Sequence, residues 1–143
     1  MNANTELLNY IYQNSQMGCD TLEQIMENSD DPAFKDCLKK QQEGYQKFHT
    51  NARDMLQAQG ETEKGLSTFE KARTSLMIDF QTMTDRSTSH LAEMLIQGSS
   101  MGITNAVKKV NEYEADAEKD IVHMMHDLQH FEERNVEQLK EYL

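Results

Sequence analysis

The chain has 143 residues, 25 acidic against 14 Lys and Arg, and a net charge of −11. A charge of that sign argues against nucleic acid and against anionic membrane surfaces as partners, both of which select cationic proteins. No apolar run approaches the ~20 residues that span a bilayer, and Met1–Tyr10 lacks the basic start and apolar stretch of a signal peptide, so a soluble cytoplasmic protein of one domain (residues 1–143) is expected.

One Pro and six Gly leave long stretches free of breakers, and no two-residue alternation marks a strand. A first helix is predicted over 4–28, capped by Asn4 or Thr5, with Glu6 in its first turn, where the helix dipole favours negative charge. Its inward stripe reads Leu8, Ile11, Ser15, Gly18, Leu22 and Ile25. Asp31-Pro32 then caps and opens a second helix after a short turn, so the first two helices should be antiparallel neighbours. The second should end near Gln59, with Gly60 as its stop. Its stripe is Phe34, Leu38, Gln41, Tyr45, Phe48, Ala52 and Met55.

A capping box, Ser67 to Glu70, starts a helical pattern that runs to about residue 113. Unbroken, it would be ~70 Å long, against ~40 Å for the first two helices. A break is therefore expected near Met83–His90, with Asp85 and Ser87 as caps, although an unbroken helix projecting into a partner chain is the alternative. The first piece, 67–83, would carry the chain back along the bundle. The second, 87–113, presents Leu91, Met94, Leu95, Gly98, Met101, Gly102 and Asn105 on one face. Asp116 is expected to cap a last helix over 117–142, with the stripe Ala117, Ile121, Met124, Leu128, Phe131 and Leu139. Glu132 and Glu133 are assigned to its outward face.

Small residues at mid-height on the first and third main helices (Ser15, Gly18, Gly98, Gly102) oppose large ones on the second and fourth (Tyr45, Phe48, Leu128, Phe131). Small against large fills a core layer without voids, and an aromatic ring is expected to approach the Gly98–Gly102 segment. A small ligand or metal in a mid-bundle cavity, and a break in that helix, are the alternatives there. His90, Glu93 and Gln97 form a polar line that could reach Tyr45 or Gln41. Cys19 and Cys37 read as semi-buried apolar residues, and the ten methionines mostly as gap filling.

The segments Leu95–Gly102 (Leu-Ile-Gln-Gly-Ser-Ser-Met-Gly) and Phe131–Lys140 (Phe-Glu-Glu-Arg-Asn-Val-Glu-Gln-Leu-Lys) resemble short, uncharacterised bacterial helical proteins, and the whole architecture resembles the ferritin-like bundles. That resemblance implies two antiparallel hairpins joined by a long crossover. It also implies an iron or manganese site, built from carboxylates on helices one and three and Glu-x-x-His on two and four. Here the second helix offers Gln46-x-x-His49 and the fourth Asp120-x-x-His123, and neither pair aims both side chains inward. A degenerate site drawn from His49, His90, Glu93, Glu114 and Asp120 is what remains. His123, His126 and His130 fall on a solvated face. No nucleophile elbow, phosphate loop or zinc spacing is present. The expectation is an all-α, ferritin-like antiparallel bundle acting as a non-enzymatic binding or assembly protein without catalytic residues or cofactor. It should be a homo-oligomer, most simply a dimer, with an iron oxidase or store as the alternative.

Overall fold

A computed structural model describes residues 2–61 and 81–143, and among these all regular structure is helical. Four long helices lie among the described residues: α1 (Ala3–Glu27), α2 (Pro32–Ala58), α3 (Thr88–Tyr113) and α4 (Lys119–Lys140). A 3-10 turn, Glu114–Asp116, links the last two. No described helix is long and apolar enough to cross a membrane.

The helix ends follow side-chain chemistry. The Asp31 carboxylate accepts the Phe34 N–H at 3.2 Å, with Pro32 in the first turn. Ser87 Oγ accepts the His90 N–H at 3.3 Å, and Gly60 closes α2 with φ +74°. Two caps differ from expectation. Asn2, not Asn4 or Thr5, caps α1 by accepting the Thr5 N–H at 2.8 Å. Asp116 is spent in the 3-10 turn, so α4 starts later, from Glu118, whose own N–H is held by Asn4 Oδ1 at 2.7 Å. Residues 83–87 are non-helical. The unbroken helix is thereby ruled out: Asp85 takes the Ser87 N–H at 2.9 Å and turns the chain into a new start. The expected capping box at Ser67–Glu70 and most of the helix over 67–83 lie outside the described residues.

Pairwise contacts fix the directions. Gly18 faces Tyr45 and Tyr12 stacks on His49, so α1 and α2 are antiparallel. Tyr10 meets Gly102 and Glu6 meets Lys109, so α1 and α3 are antiparallel. Gln41 meets Gln138 and Phe34 meets Tyr142, so α2 and α4 are antiparallel. Thr88 donates to Asp31, which puts the start of α3 beside the start of α2. The order of directions is therefore up, down, down, up.

The core runs along this frame: Leu8, Ile11, Leu22 and Ile25 of α1, Phe34, Leu38, Ala52 and Leu56 of α2, Leu91, Leu95 and Ala106 of α3, and Ile121, Met125, Leu128 and Leu139 of α4. The inward face of α3 is rotated from the expected one. Met101 is 59% exposed and Gly98 is exposed, while Ala92, Ala106 and Val110 are buried. The reason is packing on both sides: α3 leans on α1 through Gly102 and on α4 through the same turn, so the small residues rather than Met101 take the contact. Over its first half, α1 is buried around most of its circumference, polar Thr5, Asn9, Gln13 and Asn14 included.

Candidate functional site

Polar side chains converge at mid-height on one carboxylate. On α4 the buried positions are Ile121, Met125, Leu128, Glu132, Asn135 and Leu139, a strict alternation of four and three. That spacing keeps one face toward the other helices, so Glu132 is carried inward by its register and is 2% exposed. The outward assignment of Glu132 is therefore corrected. Its partners come from three other helices. The Tyr45 hydroxyl of α2 donates to Oε2 at 2.7 Å, and the Asn14 amide of α1 donates to Oε1 at 2.9 Å. On α3, a Cβ added to Gly102 would lie 2.7 Å and 2.8 Å from the two carboxylate oxygens. Any side chain there would displace the carboxylate from its present position. The Tyr10 hydroxyl reaches across to the Gly102 carbonyl at 2.7 Å and ties α1 to the same turn. Gln41 continues the polar line, donating to Gln138 Oε1 at 3.2 Å and, at 3.5 Å, to the carbonyl of buried Asn135.

Burial raises the carboxyl of Glu132 to about pH 7 for half-ionisation, and the hydrogen bonds from Tyr45 and Asn14 pull the other way. The Tyr45 and Tyr10 hydroxyls are pushed up, first by burial and then by the nearby Glu132 charge. Both stay neutral donors throughout the ordinary pH range.

Beside this centre lies a cavity of about 80 Å³, lined by Asn14, Gly18, Tyr45, Gly98, Ser99 and Glu132 among others. The expected small-against-large layer exists, with a different pairing. The Tyr45 ring lies on Gly18 and the Phe131 ring on Gly44, but Gly102 receives a carboxylate and a Cβ at Gly98 would meet nothing within 4 Å. The expected ring over Gly98–Gly102 is absent because Tyr45 and Phe131 are engaged elsewhere, edge to face at 4.9 Å.

The residues proposed for a degenerate metal site are scattered. His49 stacks on Tyr12 at 4.3 Å between α1 and α2. His90 is half-buried in the first turn of α3, and Glu93, Glu114 and Asp120 are exposed. Among the described residues no three His, Cys, Asp or Glu side chains group closely enough to hold a metal ion. The polar line of His90, Glu93 and Gln97 is not assembled either: Glu93 and Gln97 are exposed, and Glu132 takes the Tyr45 hydroxyl instead. His123, His126 and His130 are exposed, as expected. Cys19 and Cys37 are half-buried free thiols, both pushed up chiefly by burial, Cys19 to about 11, which favours the protonated form.

No curated protein and no solved structure matches the chain. A family model described as a domain of unknown function, DUF2383, matches residues 3–112, which takes in Tyr10, Asn14, Tyr45 and Gly102 and stops short of Glu132. With most of its length inside that match, the chain belongs to the DUF2383 family.

Proposed function

We propose that this protein is a non-enzymatic binding and assembly module built on a ferritin-like bundle, and that its working element is the pocket over Glu132. The observation that carries the reading is the convergence of neutral donors from two helices on one buried carboxylate, beside unfilled space. A small-molecule receptor needs this combination: a concave, mostly apolar pocket and a few polar groups held in place before the ligand arrives. The ferritin-like description draws its support from the up, down, down, up order of the helices. The assembly part, most simply a dimer, draws on the exposed Met101 of α3, at 59% the least covered large apolar residue of that helix. Two protonated free thiols suit the reducing cytoplasm.

A second reading, an iron oxidase or store with a degenerate site, is favoured by one observation, a buried carboxylate at mid-height in this topology. It would require further ligands from α1 and α3, where Asn14 and Gly102 face Glu132. Native mass spectrometry and sedimentation velocity of untagged protein, purified without added metal, separate the readings. A dimer that takes up less than one equivalent of iron or manganese after aerobic reconstitution is expected. A strict monomer removes the assembly part. Stoichiometric metal replaces the binding reading with the second one.

A further inference from the structure

The pocket over Glu132 is chemically one-sided. Its floor holds a carboxylate with no cation within ion-pair distance among the described residues. A carboxylate offers about four accepting sites, and Tyr45 and Asn14 use two of them. The side walls include Leu22, Leu95 and Met94, all apolar. Gly98 of α3 also lines the pocket, is exposed, and has nothing within 4 Å of where a Cβ would stand, which makes it the natural point of entry. A buried carboxylate left without a countercharge is costly, and a ligand that supplies one recovers that cost on entry. An anion would meet like charge. A hard divalent cation, calcium or magnesium, would find one carboxylate where it needs about six oxygen ligands. The chain's net charge of −11 concentrates small cations around it.

From this geometry we propose that the pocket binds a small organic monocation, a primary amine with a short apolar tail, with its ammonium group on Glu132 and its tail along Leu22, Leu95 and Met94. The proposal rests on the reading of this pocket as the working element. The volume of about 80 Å³ has room for a molecule of roughly four or five non-hydrogen atoms. Binding follows the ionisation of Glu132 and is lost as pH falls from 8 to 5. The other titratable groups that face it are Tyr45 from α2 and Tyr10 from α1, both neutral over that range, while α3 presents Gly102 and Ser99.

The test is a titration of the full ¹⁵N-labelled chain at pH 8 with n-propylammonium chloride. Equal ionic strengths of sodium propionate and a neutral n-propanol series serve as comparisons. The expected result is saturable shift changes confined to the surroundings of Glu132, Tyr45 and Gly98 with propylammonium alone. The dissociation constant should be about a millimolar, in the range open to a four-atom ligand. Glu132→Gln, which keeps an acceptor for Tyr45, should weaken binding at least tenfold. Gly98→Leu, which leaves the carboxylate untouched and closes that point of entry, should do the same. Undiminished binding by Glu132→Gln overturns the proposal. Saturable binding of n-propanol but not of propylammonium overturns the ligand class and leaves the pocket as the working element. Failure of all three probes overturns both.

Discussion

Two glycine-to-alanine substitutions in this bundle should shift stability in opposite directions. A Cβ at Gly18 would lie 2.8 Å from Cδ1, Cε1 and Cζ of Tyr45. Carbon atoms settle at about 3.5–4.0 Å, so the ring must retreat by roughly 0.8 Å. It is not free to do so. Its hydroxyl is 2.7 Å from Glu132 Oε2, and Phe131 stands edge-on against it at 4.9 Å. A retreat of that size stretches the hydroxyl bond past the useful range of about 3.0 Å. Overpacking costs about 1–3 kcal/mol, and a weakened bond to an ionisable group adds about 1 kcal/mol. Replacing Gly inside a helix returns about 1 kcal/mol. Gly18→Ala should therefore destabilise by about 2 kcal/mol, or roughly 6 °C in a chain of this size. At Gly98 a Cβ meets nothing within 4 Å, so only the helix gain of about 1 kcal/mol remains, and Gly98→Ala should melt roughly 3 °C higher. Thermal and urea unfolding followed by circular dichroism at 222 nm measure both. Shifts of the same sign in the two variants would refute the assignment of Gly18 to a close ring contact and of Gly98 to open space.

Further expectations concern the polar centre and one cap. Glu132 keeps its proton in the folded chain to about pH 7 and loses it near 4.5 when unfolded, so the folded state binds more protons between those values. Stability should fall by about 3 kcal/mol as pH rises from 4.5 through 7 and then level off, a loss that Glu132→Gln removes. The difference between the two proteins' urea midpoints across that window isolates it, and parallel curves would count against a buried Glu132. Tyr45→Phe removes the donor to Oε2 and should cost about 1–3 kcal/mol. It should also push the Glu132 titration higher still, visible in ¹³C spectra of its carboxyl carbon. Asp31→Ala loses both the cap of α2 and the tie to Thr88. About 1–2 kcal/mol should go, with faster amide exchange in the first turns of α2 and α3.

Much of the frame is legible in local chemistry. Asp31-Pro32, Ser87 and Gly60 act within three or four residues of themselves, and their roles depend on nothing distant. The α2 stripe reads correctly at Phe34, Leu38, Gln41, Tyr45 and Ala52, where the spacing is nearly an unbroken heptad, but its last turn buries Leu56 and leaves Met55, like Phe48, only partly covered. The site is harder to read. A stripe drawn through the most apolar residues of α4 selects Met124 and Phe131, whereas the buried register is Met125, Leu128 and Glu132. Both registers alternate four and three from Ile121, so spacing does not choose between them, and the apolar side chains of Met124 and Phe131 pull the reading away from Glu132. Met101 misleads in the opposite sense: it is apolar and sits beside two glycines, but the close approach of Glu132 to Gly102 sets the rotation of α3. That approach depends on a residue thirty positions away, which no local pattern contains. The burial of Asn9 and Gln13 on α1 is likewise a property of how many neighbours surround that helix.

The contacts of Glu132 also bear on how the chain assembles in time. Asn14 and Glu132 are 118 positions apart, Tyr10 and Gly102 are 92, and Tyr45 and Glu132 are 87. Each hairpin, α1 with α2 and α3 with α4, can form from nearer neighbours, but no bond between the hairpins exists until they dock. A docking slipped by one turn still buries apolar surface, but it strands a carboxylate without donors, and the hydroxyls of Tyr45 and Tyr10 without acceptors. The polar centre thus acts as a proofreading step that rejects misregistered pairs. Tyr45→Phe, which strands the carboxylate, should speed unfolding and leave the folding rate nearly unchanged.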